Sequence, residues 1–476
     1  MTIGKINITE ALKNVENLLR EDKTMSPQAR AMMELLVVVI DLLVAKLGLN
    51  SSNSSIPPSK DTARKRGSKK KTKGKKRKPG GQKGHEGTNL KREENPDLLE
   101  FLEVDRRTIP KGQYIEIGYD SRQVINIEIS KVVTEYRAQI LKDEHGNQYV
   151  AEFPTGVNRP VQYGNSIKTQ SVYVSQQQLV PYDRVHDYFA DQCKIPISTG
   201  SIFNFNKQAF ELLDKYESLV KSHLVSRPLL HADETGININ GKLLWLHTVS
   251  DDLWTMYFPH TKRGTEAIKA MGILENFQGI LCHDHFKSYF KLKCTHALCN
   301  AHHLRELERA WEHDGHRWAK KMQDLLLEIN EATTKAGGRL TEEAAKSCRK
   351  RYRNTLTRGD KECPPPDPKK HIGKRGRQAK TKSRNLLERL RDFEKETLRF
   401  MTNKLVPFTN NQGENDIRMT KVQQKISGCF RSLEGAQIFC RVRGYLSTCS
   451  KHDVSPTEAL QMLFDGRLPD FVAKLE

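Results

Sequence analysis

The chain has 476 residues, 37% of them hydrophobic and 29% charged, with a formal net charge of +21. That length allows about three domains, and so large a positive charge along a long globular chain points to a polyanion, with nucleic acid ahead of a membrane surface. A membrane span is excluded because the longest apolar run, LLVVVIDLLVA at 35–45, is too short, and a secreted disulfide framework is excluded because the nine cysteines form no CxxC pair.

The start of the chain, MTIGKINITEALKN, is polar and has no signal-peptide core. These features predict a soluble, cytoplasmic protein with no membrane partner. Residues 1–49 read as helical, with helices over 8–20 and 27–48. The second is apolar on most faces, through Met32, Leu36, Val39 and Leu43 among others. Such a helix needs a partner, either another copy of the chain or the rest of this one. Oligomerisation is the expected use.

Residues 50–95 read as a disordered basic linker. Between 60 and 78 it holds twelve Lys/Arg and one Asp. A run of this kind does not bury a core. Its cations, Arg64, Lys65, Arg66, Lys69, Lys70, Lys71, Lys75, Lys76, Arg77 and Lys78, suit a clamp on the DNA backbone that carries no sequence information.

Residues 96–165 show short β-rich runs, RQVINIEIS, TEYRAQIL and QYVAEF, and read as a small β module. Residues 166–225 read as helical. Within them, two helices flank a turn at Lys194–Ser198, with an N-cap near Ser198 or Thr199, in the manner of a helix-turn-helix.

From 228 the pattern changes. PLLHADETGININ, KLLWLHTVS and LWTMYFPH are consecutive strand candidates with an NG turn at 240–241. A helix near 263–271 follows, then strands GILCHD at 279–284 and THALCN at 295–300, then a long helix from about His302. This alternation predicts a mixed α/β sheet over 226–320 and 396–450. Residues 321–395 form a basic helical insertion, and 451–476 a C-terminal tail.

Three strings carry the chemistry: HADETG at 231–236, LCHDHFKSY at 281–289 and TNNQGENDIRM at 409–419. They offer Asp233 and Asp284 at strand ends and Glu414 on a helix whose N-cap is read as Asn411. Singly, each acid has a structural explanation: a turn cap, a strand end, a capping-box glutamate. Together they form a set able to hold two Mg2+ ions, roughly 3.5–4 Å apart in such sites, for phosphoryl transfer. Mn2+ takes similar donors. Arg418, Lys421 and Lys425 form a cationic face beyond Glu414, suited to a scissile phosphate or to an i,i+4 ion pair. A zinc hydrolase built from His231, His283, His285, His296, His302 and His303 with Cys299 is a weaker reading, since no HExxH or CxxC spacing organises them.

At these motifs the chain resembles a transposase of the insertion sequence 66 family, in the DDE superfamily. The resemblance runs through NSSNSSIPPSKD at 50–61, GGQKGHEG at 80–87, YGNSIKTQSVYVSQQQLVPYDRV at 163–185, HADET, HDHFKSY, CNAHHLRE at 299–306 and VPFTNNQGENDIRMTKVQQKISGCFRS at 406–432. It implies an RNase H-like catalytic domain with an insertion between the second Asp and the Glu. Asp233, Asp284 and Glu414 would be the catalytic, metal-holding acids, and Cys299, His302 and Arg305 would belong to a further motif of unassigned role. It also implies cleavage at the ends of a bacterial insertion element, joining of a 3′-hydroxyl to target DNA, assembly as an oligomer, accessory proteins from the same element, and a place on the nucleoid. The small cysteine-rich zinc module usual in the family has no counterpart here, because 100–165 contains no cysteine. A catalytically inactive DNA-binding derivative and a general RNase H-like nuclease are the alternatives.

Overall fold

The structure is a computed structural model and describes residues 2–3, 6–22, 24–47, 90–366 and 378–474. The basic cluster Arg64–Lys78 lies outside the described residues. The first two helices are α1 (Ile8–Glu21) and α2 (Pro27–Leu47), packed on each other with Leu19 and Val37 buried. Met32, Leu36, Val39 and Leu43 stay exposed along α2. Their spacing of four, three and four residues is that of a helix-pairing seam.

Residues 90–164 depart from the expected β module. Only a hairpin forms there, Ile140–Lys142 against Gln148–Val150. The apolar residues of the other candidate strands have nothing to cover them; Ile117, for example, is 94% exposed. Alternation makes a strand only where one face is buried.

Helix α3 (Asn165–Val172) runs through a wide turn at Tyr173–Gln177 towards α4 (Tyr182–Cys193) and α5 (Thr199–Leu212). The expected turn between α4 and α5 is present. Lys194 takes a left-handed conformation, and the Ser198 hydroxyl accepts from the Ser201 N–H as the cap of α5. Helix α6 (Asp214–Ser226) leads into the sheet.

The sheet consists of β1 (Leu229–Ile239), β2 (Lys242–Ser250), β3 (Thr255–His260), β4 (Ile280–His283) and β5 (Thr295–Leu298). Its strand order is β3-β2-β1-β4-β5. The first three strands are antiparallel, while β1, β4 and β5 run parallel. The β1–β2 hairpin closes on Asn240 and Gly241, both at positive φ, as the asparagine–glycine pair anticipates. Helix α7 (Thr265–Met271) covers the crossover to β4.

After β5 come α8 (Asn300–Glu312), α9 (Arg317–Lys335), α10 (Glu342–Glu362) and α11 (Lys382–Asp392). They share their own core around Trp318, Tyr352 and Leu387. The chain returns through α12 (Asn411–Ser427) and α13 (Leu433–Lys451), which packs on β3. Residues 451–476 were expected as a tail. Instead α14 (Pro456–Phe464) buries Leu460 and Leu463 in the main core with Leu230, Val249 and Tyr445. An apolar stripe at helical spacing, behind a capping serine and Pro456, accounts for the difference. No helix among the described residues is long and apolar enough to cross a membrane.

Candidate active site

Parallel pairing of β1 with β4 sets the two aspartates. His231 lies beside Cys282, so Asp233, two residues further on, falls alongside Asp284 just past the end of β4. Asp284 follows its strand as expected. Asp233 does not end β1, because that strand continues to Ile239 against β2, with Asp233 opposite Thr248. The NG turn keeps the hairpin paired along its length, so the aspartate stands where the neighbouring strand stops rather than where its own does.

Glu414 arrives from α12, and Asn410, a residue without a motif of its own, places it. Asn410, not Asn411, precedes the helix, and its side chain makes no cap bond. Its Oδ1 instead accepts from His231 Nδ1 at 2.6 Å, and its Nδ2 donates to the Ala232 carbonyl at 2.9 Å. Its backbone N–H donates to Cys299 Sγ at 3.1 Å. Burial holds His231 towards its neutral form, which leaves Nδ1–H to donate. Asn410 is buried, and it joins the HADET, CNAHH and NNQGEN strings. A Cβ on Gly413 would stand 3.1 Å from Asn410 Nδ2, so the glycine preserves that approach. The sequence signal was present in the doubled asparagine, but capping chemistry pointed to the wrong member.

The three residues of unassigned role surround the glutamate. Arg305 Nη2, His302 Nδ1 and Cys299 Sγ lie 3.6, 3.7 and 3.8 Å from Glu414 Oε1. Burial and the adjacent Arg305 lower the His302 pKa, and burial pushes the Cys299 thiol up to about 11. Both therefore face Glu414 as uncharged groups at neutral pH, and Arg305 is the positive charge of the trio. Cys299, His302 and Glu414 bring ligand atoms within 4.8 Å of one another, a set that a soft divalent ion could use. Of the residues of the zinc reading, Cys299 and His302 are the pair that joins an acid in a ligand-like set among the described residues; His231 Nδ1 is taken by Asn410, His283 Nε2 meets His296 at 3.1 Å, and His285 packs edge-on to Phe393.

The Asp233 carboxyl is held well above its usual range. Burial is the first cause, followed by the charges of Glu234 and Asp284, with Glu414 contributing less. Glu234, next to it, is also raised, by burial and by Asp284, against Tyr289 and Arg263, which draw it down. Four acids thus crowd one place, and Arg263 and Arg305 are the cations paired with them. Arg418, Lys421 and Lys425 are exposed on α12. Arg418 forms no ion pair with Glu414 among the described residues, and Lys421 donates to the Gly236 carbonyl.

The molecule is thus a mixed α/β protein whose acidic cluster adjoins a cavity of about 340 Å3 lined by Asp284, Arg263, Lys287 and Arg389. Residues 160–438, more than half of the chain, match the transposase IS66 family, and the chain belongs to that family. Its function is accordingly that of a transposase, and its substrate is DNA. Residues 3–91 match a family of unknown function (DUF6444). No curated protein matches the chain.

Proposed function

We propose that the protein cuts the ends of a bacterial mobile element and joins the freed 3′-hydroxyl to target DNA, as a DDE transposase with an RNase H-like catalytic domain. The observation that carries this reading is the convergence of three acids: the pairing of β1 with β4 sets Asp233 alongside Asp284, and Asn410 ties the start of α12, which carries Glu414, to β1 at His231 and Ala232. The sheet order β3-β2-β1-β4-β5, with its antiparallel and parallel halves, supports the fold assignment.

The donor set fits a hard divalent cation. Three carboxylates that repel one another in a partly buried place gain from shared positive charge, and Mg2+ prefers oxygen ligands. Asp233, Asp284 and Glu414 would hold the two Mg2+ ions, or Mn2+ in their place. Bound there, such ions supply an activated water and neutralise charge on the leaving oxygen. The chain itself does the positioning. Arg305, His302 and Cys299 hold the Glu414 carboxylate from one side. Asn410 fixes α12 to β1 beside Asp233. The Arg64–Lys78 cluster adds affinity for any phosphate backbone, and the exposed seam on α2 pairs with a second copy so that two element ends meet.

The test is cleavage of labelled terminal DNA with Mg2+, followed by joining to a second duplex. Asp233→Asn, Asp284→Asn and Glu414→Gln should each abolish both steps while leaving DNA binding nearly intact. Cutting without end preference or joining would favour a general nuclease, and binding without cutting by the unaltered protein would favour an inactive derivative.

A further inference from the structure

The cavity beside Asp284 is also lined by three cations, Arg263, Lys287 and Arg389. Arg389 pairs with Glu306, and Lys287 is exposed. Arg263 is held differently. Its Nε and Nη2 both donate to Glu234 Oε1, at 3.1 and 2.7 Å. The Tyr289 hydroxyl donates to the other carboxylate oxygen at 2.7 Å. The guanidinium carbon also lies 4.7 Å from the Trp245 ring centre and 4.4 Å from that of Phe286.

These contacts fix a side chain that would otherwise lose much rotamer freedom on binding a ligand. They use two of its three nitrogens; Nη1 has no protein partner among the described residues. Glu234 is sealed, its side chain 1% exposed, whereas that of Arg263 is 42% exposed. A pair serving the fold alone has no need to open one half onto a cavity. A guanidinium braced from behind, with one edge open next to an acid, is suited to a phosphate oxygen.

We propose that Arg263 binds a phosphodiester of the DNA strand that enters this cavity, and so sets the approach of that strand to Asp284. The proposal rests on the reading of Asp233, Asp284 and Glu414 as the cutting site. Arg263 is a binding residue, and Glu234, Tyr289, Trp245 and Phe286 position it.

The experiment measures binding of a fluorescein-labelled duplex carrying the element's terminal sequence, by anisotropy without divalent cation. Arg263→Ala alone would leave the buried Glu234 charge without its cation, so a double variant, Arg263→Met with Glu234→Gln, removes both charges and separates folding from binding. Both variants should bind roughly tenfold more weakly, with the log–log salt slope lower by about 0.9, while the double variant unfolds at nearly the wild-type urea concentration. Single neutral methylphosphonates are then placed along the strand. One position should weaken the wild type about as much as Arg263→Ala does, and cost that variant nothing further. The proposal is overturned if the double variant binds as tightly as wild type, or if every methylphosphonate costs both proteins the same. If Asp233→Asn still cuts while the Arg263 results hold, the cutting-site reading falls and the phosphate contact stands.

Discussion

Asn410→Ala is the substitution that most directly probes how the site is assembled. The side chain offers one acceptor to His231 and one donor to the Ala232 carbonyl, at 2.6 and 2.9 Å. Alanine leaves both partners buried without a replacement. Each such loss costs about 1–3 kcal/mol, so the pair costs about 2–6 kcal/mol, with a small further amount for the void. A typical fold has about 5–15 kcal/mol in hand, so the variant should still fold, with its urea midpoint clearly lowered and its m-value unchanged. Activity should fall further than stability, because Asn410 sets α12 against β1 and therefore Glu414 against Asp233. A displacement of about 1 Å in a reacting constellation costs on the order of 100-fold in rate. Urea denaturation followed by circular dichroism gives the first number, and Mg2+-dependent cleavage by the folded variant gives the second. A variant with the wild-type midpoint and cleavage rate would show that these hydrogen bonds do not hold the glutamate in place.

The raised Asp233 pKa predicts a pH effect in the chelated protein. Below the ordinary carboxyl value of 3.8 both folded and unfolded states are protonated. As pH rises above it the unfolded chain ionises first, so the folded state binds more protons and loses stability until its own pKa is passed. Asp233→Asn removes that loss. It should match wild type near pH 3.5 and be the more stable protein at pH 8, and Mg2+ should close the gap by stabilising only the wild type; an equal difference at both pH values would refute this. Deleting residues 62–78, which carry eleven Lys/Arg, should weaken binding to all duplexes alike and flatten the salt dependence by about 0.9 for each phosphate no longer neutralised. Loss of end preference at an unchanged slope would mean that the segment reads sequence or shape. Leu36→Glu with Leu43→Glu, two exposed positions on the α2 seam, should shift sedimentation towards a monomer; an unchanged assembly would place the interface elsewhere.

The sequence alone determined which segments become strands and their succession along the chain, because alternation, the NG turn at 240–241 and the helical periods between strands are local signals. It also singled out Asp233, Asp284 and Glu414 as a set, since carboxylates in three ordered strings are visible without a fold. It misread the regions where local pattern and packing part company. The alternating runs of 96–165 look like strands, yet find no second layer, and 451–476 looks like a tail, yet supplies Leu460 and Leu463 to the core. Tertiary structure decided what surrounds the acids. Asn410 reaches residues 179 positions away, Arg305 stands beside Glu414, and Glu234 braces Arg263. None of these has a spacing to betray it, because they come together only where parallel pairing sets β4 beside β1 and the chain returns, after the helices of 300–392, to lay α12 across β1. Local composition specifies elements, whereas the register between distant elements specifies which charges meet.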